Sequence, residues 1–186
     1  MNSEGFFVYS IKPIPGLLVN AMCTTAFFAF LLIVEVTTTP QLSSVMQLSQ
    51  ISKLVDDAGL TIGLKITYHF KHSYNQRNIS ISLTRRVNIC PVQILLDYLS
   101  RRGYNGGALF HTLDGLPVSR AIFTTHLAMV FTQCGLDPSK YKGNSFRIGA
   151  ASYAAEYGFS DAQIRLMSRW RSDAFGKYIR TPNLTS

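Results

Sequence analysis

An uncharged and strongly apolar stretch from Pro13 to Val34 constrains the fold of this chain more than any other sequence feature. Its part 17–34 is long enough for a marginal membrane span. However, no cluster of Lys or Arg flanks the stretch, no convincing small-residue cleavage site follows it, and it contains three polar side chains. These features favour a buried core helix from Gly16 to about Leu32, with a membrane helix as the alternative.

A run of alternating apolar residues between positions 60 and 70 predicts a half-buried β-strand, because side chains two apart point to the same face of a strand. The residues on that face are Leu60, Ile62, Leu64, Ile66, Tyr68 and Phe70. A polar, turn-like segment follows at 73–78, and the alternation resumes at Ile79, Ile81 and Leu83. We therefore predict a β-hairpin with a polar tip. Residues 37–61 are predicted to form turns, short strands and one helical turn.

The rest of the chain is predicted to be mostly helical, because helix start and stop signals recur along it. The predicted helices are Pro91 to Arg102 ending at Gly103, Ser119 to Gly135, Ser145 to Tyr157, 161–167 behind a capping box, and 173–180, with a short strand at Leu109-Phe110. This order predicts an α+β fold, mostly helical with a small antiparallel sheet, over residues 16–182. Residues 1–15 are predicted to form a short irregular lead.

The formal net charge of +8 is unevenly distributed along the sequence. Residues 1–70 carry −1, whereas 71–139 carry +4 and 140–180 carry +5. A basic surface of this kind suits a polyanion such as nucleic acid, although a solvated basic surface without a partner is the alternative. The three cysteines are far apart, and the four histidines lack metal-ligand spacing, so we expect no metal site and no disulfide framework. Reduced thiols suit an intracellular compartment.

Several C-terminal motifs together resemble the active-site end of the tyrosine recombinase (phage integrase) family. Residues 141–151, YKGNSFRIGAA, are similar to the second signature box of that family, and Arg169-Trp170 and Tyr178-Ile-Arg follow in the matching order. Upstream, Phe70-Lys-His-Ser73 looks like the turn that carries the catalytic lysine of the family. Cys90-Pro91 leading a helix, Leu109-Phe110 and Asp114-Gly115 also fit, particularly among recombinases of eukaryotic mobile elements. The likeness covers roughly residues 16–182.

The resemblance implies DNA recombination and integration through a phosphotyrosyl intermediate, without metal ion, ATP or other cofactor. It implies double-stranded DNA as the partner, a homo-oligomer on that DNA, a nuclear location and no membrane. Arginine forks stabilise the charge that develops on the phosphate oxygens, and a lysine or histidine handles protons.

The resemblance assigns a role to each matching residue. Tyr178 is the nucleophile, Arg147 the second phosphate-clamping arginine, and Lys71 the general acid. Trp170 fits the His-or-Trp position by residue type, whereas the spacing from Tyr178 also allows Arg169, and either could donate to a phosphate. Without the resemblance, the same residues read as surface cations, a packed aromatic and one of nine tyrosines.

The sequence also departs from the family pattern. Leu32 stands where the first arginine is expected, in the run Phe27-Phe-Ala-Phe-Leu-Leu-Ile-Val-Glu35, and Asn144 stands in place of the box histidine. Leucine cannot bind a phosphate, and asparagine cannot shuttle a proton near neutral pH. About fifteen residues precede the first predicted helix, so we expect no N-terminal clamp domain. We therefore expect an impaired recombinase domain, with a non-catalytic DNA-binding module as the alternative.

Overall fold

The predicted α+β class is confirmed by the computed structural model, which describes residues 16–38, 45–68 and 79–170. Within these ranges there are six α-helices and one three-stranded antiparallel sheet. The elements are α1 (Gly16–Phe28), α2 (Ile33–Val36), β1 (Ile51–Val55), β2 (Thr61–Tyr68), β3 (Ile79–Thr84), α3 (Pro91–Arg102), α4 (Arg120–Gln133), α5 (Ser145–Glu156) and α6 (Asp161–Ser168). The predicted lead, hairpin tip and last helix lie outside the described residues.

The uncharged stretch forms the buried helix α1, but this helix ends at Phe28 rather than near Leu32. Phe30 takes a left-handed conformation with φ of 54°. The N–H of Leu31 donates to the carbonyl of Ala26 (2.7 Å), and the N–H of Phe30 donates to that of Phe27 (3.1 Å). This pair of hydrogen bonds is the Schellman motif that ends many helices. Across the described ranges, no helix combines the length and apolar character needed to cross a membrane.

The predicted hairpin is confirmed as β2 and β3, and β1 pairs with the other edge of β2. Leu64, Ile66 and Tyr68 are buried on one face, as the alternation predicts. Leu60 and Ile62 are instead 67% and 50% exposed. The ladder shifts register between Leu54 and Val55, opposite this end of β2, and such a bulge bends the strand away from the regular packed face.

Helices α3, α5 and α6 form close to their predicted bounds, and α3 and α6 do so behind local caps. The Cys90 sulfur accepts from the N–H of Gln93 at the start of α3, and Gly103 ends that helix with φ of 81°. At the start of α6, the side chains of Ser160 and Gln163 form the predicted capping box. Helix α1 packs against α3 and α5, which places α5 beside the turn that follows α1.

Two predictions in the middle of the chain need correction. The apolar stripe of α4 is buried at Phe123 and Leu127 and half-buried against the core at Ile122 and Phe131, whereas Val130 and Cys134 are exposed. Leu109-Phe110 is fully buried but is not a strand. Single bridges at Ala108 and His111 are too short to form a ladder.

Candidate functional site

Three charged side chains that are distant in the sequence meet in the structure. Arg147 Nη2 donates to Glu35 Oε2 at 2.6 Å, and Arg169 Nη2 donates to Oε1 and Oε2 at 3.1 Å each. The side chains of Arg147, Arg169 and Glu35 are 10%, 9% and 17% exposed. We call these three residues the arginine cluster. It is nearly buried and carries a formal charge of +1.

The turn after α1 holds both arginines through its backbone. The Phe30 carbonyl accepts from Arg147 Nε at 2.9 Å and from Arg169 Nη2 at 3.2 Å. Phe30 and Arg169 are also the residues other than glycine with positive φ in the described part of the chain, at 54° and 57°. For a residue other than glycine, the left-handed backbone conformation is less favourable by roughly 1–2 kcal/mol. Strain of this kind persists where other contacts compensate it, which is common at functional sites.

Glu35 also fixes the short helix α2. Its Oε2 accepts from the N–H of Leu32 at 2.6 Å, which satisfies a backbone group at the start of that helix. Leu32 itself is half-buried and supplies only hydrocarbon at the position where the family resemblance predicts an arginine.

Arg147 is the third residue of α5, so its predicted place in the first turn of a helix is confirmed. Asn144 precedes α5 with φ of −101° and ψ of 0°; its side chain is exposed and makes no capping hydrogen bond. The N–H of Ile33 donates to the carbonyl of Gly143 at 3.1 Å. This bond ties the start of α5 to α2 and brings Asn144 and Arg147 to the same end of the helix as the turn at 30–35.

Burial of Arg147 lowers the pKa of its guanidinium; Glu35 raises it and the charge of Arg169 lowers it further. The group nevertheless remains a cation, because an arginine keeps its proton in proteins. Its Nε and Nη2 are used by Phe30 and Glu35, whereas Nη1 makes no hydrogen bond among the described residues. A guanidinium of this kind still has donors to offer an anion.

Tyr68 lies beside the cluster, with its ring centroid 5.4 Å from the Arg169 guanidinium carbon. Burial raises the pKa of the Tyr68 hydroxyl well above its usual value, although the charge of Arg169 opposes this rise. Tyr68 is also only 6% exposed, and this burial makes its hydroxyl a poor candidate for a nucleophile.

The remaining predicted residues lie near the cluster or outside the described ranges. Trp170 is half-buried and packs against the small apolar group that includes Phe30 and Ile164. Lys71 follows Tyr68 by three positions, and Tyr178 follows Trp170 by eight. Both lie outside the described residues, so their predicted roles stay predictions.

A largely apolar groove with one arginine lies along α1, α5 and the segment before α3. The Arg86 guanidinium lies 5.0 Å from the Phe28 ring centroid and 5.9 Å from that of Tyr153. These side chains line a groove of about 660 Å³. In the ranges that the structure describes, no group of three or more His, Cys, Asp and Glu side chains could hold a metal ion.

Sequence reasoning missed Glu35 as the centre of the cluster, although a signal was present. Glu35 is the one charged residue between Lys12 and Lys53, and a lone carboxylate in an apolar region needs a buried partner. No sequence signal pointed to the carbonyl of Phe30, because every residue has a backbone carbonyl.

A comparison with models of known protein families gives no match, and a search of the curated proteins gives none either.

Proposed function

We propose that this chain is a tyrosine recombinase-like domain that binds double-stranded DNA and acts in DNA recombination and integration, with catalysis impaired at Leu32 and Asn144. The observation that carries the proposal is the position of Arg147. Its guanidinium lies in the first turn of α5, held by Glu35 and Phe30, and keeps Nη1 available for an anion.

The hydrogen-bonding geometry of arginine and the positive charge of the chain support a DNA phosphate as the anion that Arg147 binds. Guanidinium groups bind phosphate oxygens with a planar fork of N–H donors, and the free N–H groups of a helix N-terminus add to the attraction. The positive charge of the chain also lies beyond residue 70 in the sequence, in the part that contains Arg147.

The proposed reaction begins when the Tyr178 hydroxyl oxygen attacks a backbone phosphorus. The phosphotyrosyl bond forms as the bond from phosphorus to the 5′-oxygen breaks. Lys71 gives a proton to the leaving 5′-oxygen, and Tyr178 loses its proton to solvent, since Asn144 cannot accept it. Arg147, with Trp170 or Arg169, stabilises the charge on the non-bridging oxygens.

The second candidate function is a DNA-binding module without catalysis, and Leu32 favours it. Its half-buried hydrocarbon side chain leaves that position of the site without a donor. Loss of one oxyanion donor costs about 10²–10³ in rate. The two candidates share the DNA-binding surface and differ in whether Tyr178 forms a covalent bond.

The first measurement is binding to a random-sequence duplex as a function of salt. We expect the logarithm of the binding constant to fall linearly with the logarithm of the salt concentration, because bound phosphates release counterions. Duplexes enriched from the random pool by binding then serve as suicide substrates, each nicked close to the scissile position. Denaturing gels reveal any covalent protein–DNA adduct.

We expect a small adduct yield from the wild type, none from Tyr178→Phe, and an unchanged yield from the matched control Tyr104→Phe, whose hydroxyl is on an exposed side chain. Salt-dependent binding without any adduct supports the non-catalytic module. Absence of salt-dependent binding contradicts both candidates. An adduct that survives in Tyr178→Phe and disappears in Tyr68→Phe overturns the choice of nucleophile.

A further inference from the structure

We infer that Arg169 supplies the second guanidinium of the phosphate site, in the place of the arginine that Leu32 lacks, and that Glu35 holds the two arginines ready for the anion. The identity of the anion as a DNA phosphodiester rests on the proposed function. The pairing of Arg169 with Arg147 rests on the geometry alone.

The contacts of Arg169 place its guanidinium against the segment that would carry the missing arginine. Leu32 lies between Phe30 and Glu35 in the sequence. Arg169 Nη2 donates to the carbonyl of Phe30 and to the carboxylate of Glu35. Arg147 donates to the same two groups. The two arginines therefore meet over one turn although they come from α5 and from the end of α6.

The backbone of Arg169 supports a specific need for its side chain. Arg169 caps α6 in the left-handed conformation, with φ of 57° and ψ of 29°. Glycine or asparagine adopts this conformation at lower cost. An arginine there is strained, and the strain is offset by the hydrogen bonds that its guanidinium makes with Glu35 and Phe30.

Glu35 gives the pair its geometry without cancelling its charge. Glu35 carries one negative charge against the two positive charges of the arginines, so these three side chains together have a formal charge of +1. A carboxylate and a phosphodiester both present two oxygens to the N–H donors of a guanidinium. Because the two guanidinium groups are already held in the free protein, binding requires little ordering of side chains.

The inference is tested by comparing Arg169→Leu with Arg101→Leu, which removes the same charge from an exposed residue of α3. The readout is the dissociation constant for a random-sequence duplex at fixed salt. We expect Arg169→Leu to weaken binding by about tenfold or more, the effect of losing a hydrogen bond to a charged group. Arg101→Leu should weaken it by less than about fivefold. Equal effects of the two variants overturn the inference.

A second measurement uses inorganic phosphate as the probe and Glu35→Gln as the variant. Without the carboxylate, two nearly buried guanidinium groups face each other, and a bound phosphate can replace the missing charge. We expect phosphate to raise the melting temperature of Glu35→Gln more than that of the wild type or of Glu156→Gln, an exposed control, at matched ionic strength. The additional rise should disappear in Glu35→Gln/Arg169→Leu. An equal rise in all four proteins contradicts an anion site.

The two proposals fail in different ways. If the wild type binds DNA with the expected salt dependence but Arg169→Leu behaves like Arg101→Leu, the role of Arg169 is wrong and the proposed function stands. If phosphate acts through Arg169 but no duplex binds, the anion site stands and the proposed function is wrong. If Glu35→Gln does not fold, the comparison of Arg169→Leu with Arg101→Leu still decides.

Discussion

At the scale of single residues, Glu35 has the largest structural role that we identify. Its carboxylate accepts from two guanidinium groups and from the N–H of Leu32. Breaking a buried ion pair by removing one partner costs about 3–5 kcal/mol, because it leaves an uncompensated buried charge. Glu35 therefore joins three segments of the chain and makes two nearly buried arginines tolerable.

The cysteines show how strongly surroundings control one type of side chain. Burial raises the pKa of the Cys23 thiol to about 12, although a hydrogen bond from its own backbone opposes this rise. At Cys90 burial also raises the pKa, but it is outweighed by hydrogen bonds with the backbone of Arg86, Gln93 and Val92 and by the charge of Arg85. The net result is a pKa below the ordinary value.

We predict that iodoacetamide alkylates Cys90 first and Cys23 last at pH 7.5, because the thiolate is the reactive form. Since the pKa of Cys90 is lowered, its reaction should persist at a lower pH than that of an ordinary thiol. Mass spectrometry of peptides after timed quenching gives the order. In urea the differences should disappear, and equal rates for Cys23 and Cys90 in the folded protein would contradict the prediction.

At the scale of elements, the close packing of β2 near its start depends on one glycine. Gly63 lies in β2 between Leu54 of β1 and Thr84 of β3. A Cβ at this position would lie 2.8 Å from the carbonyl oxygen of Leu83 and 3.3 Å from Leu54 Cδ1. The first contact is with backbone, which cannot move aside as the end of a side chain can.

We predict that Gly63→Ala lowers the free energy of unfolding by about 1–3 kcal/mol, the usual cost of overpacking. Urea denaturation measures this change. The matched control is Gly106→Ala, where an added Cβ meets nothing within 4 Å and φ is not in the left-handed region. That variant should be neutral or more stable by up to about 1 kcal/mol. Equal stability of the two variants would show that the strands can separate freely.

At the scale of the whole molecule, the arginine cluster joins the two ends of the described chain. Phe30 and Arg169 are hydrogen-bonded across a sequence separation of 139 residues, and Arg147 reaches Glu35 across 112. Helix α1 must therefore dock on α5 before the site can form. Any activity of the site should depend on the folded state of the whole domain.

We predict that Leu32→Arg combined with Asn144→His raises the yield of covalent DNA adduct. The change adds a further guanidinium beside those of Arg147 and Arg169, one oxyanion donor being worth about 10²–10³ in rate, and a group that can exchange protons near neutral pH. Adduct yield on the nicked duplexes measures the effect. The matched control is Leu32→Met with Asn144→Gln, which should leave the yield at the wild-type level. A folded double variant that forms no more adduct than the wild type contradicts the assigned roles of positions 32 and 144.

Much of the fold was predictable because its signals are local. The alternation around Leu64 and Ile66, the proline and glycine that bound α3, and the capping box at Ser160 each act over a few residues. The predictions failed at positions whose burial depends on packing against residues far away in the sequence. Leu60 and Ile62 around the start of β2, and Val130 and Cys134 near the end of α4, are exposed because of how the sheet and the helix pack, which no local pattern records.

The sequence by itself determined the α+β class, the start of α5 at Ser145 and the place of Arg147 in its first turn, because propensity, capping and periodicity are properties of neighbouring residues. Only the tertiary structure decided that Arg147 and Arg169 share Glu35 and the Phe30 carbonyl. Those contacts depend on how α1 docks against α5 and on two strained backbone positions. Their energy comes from groups far apart in the chain, so no local pattern can reveal them.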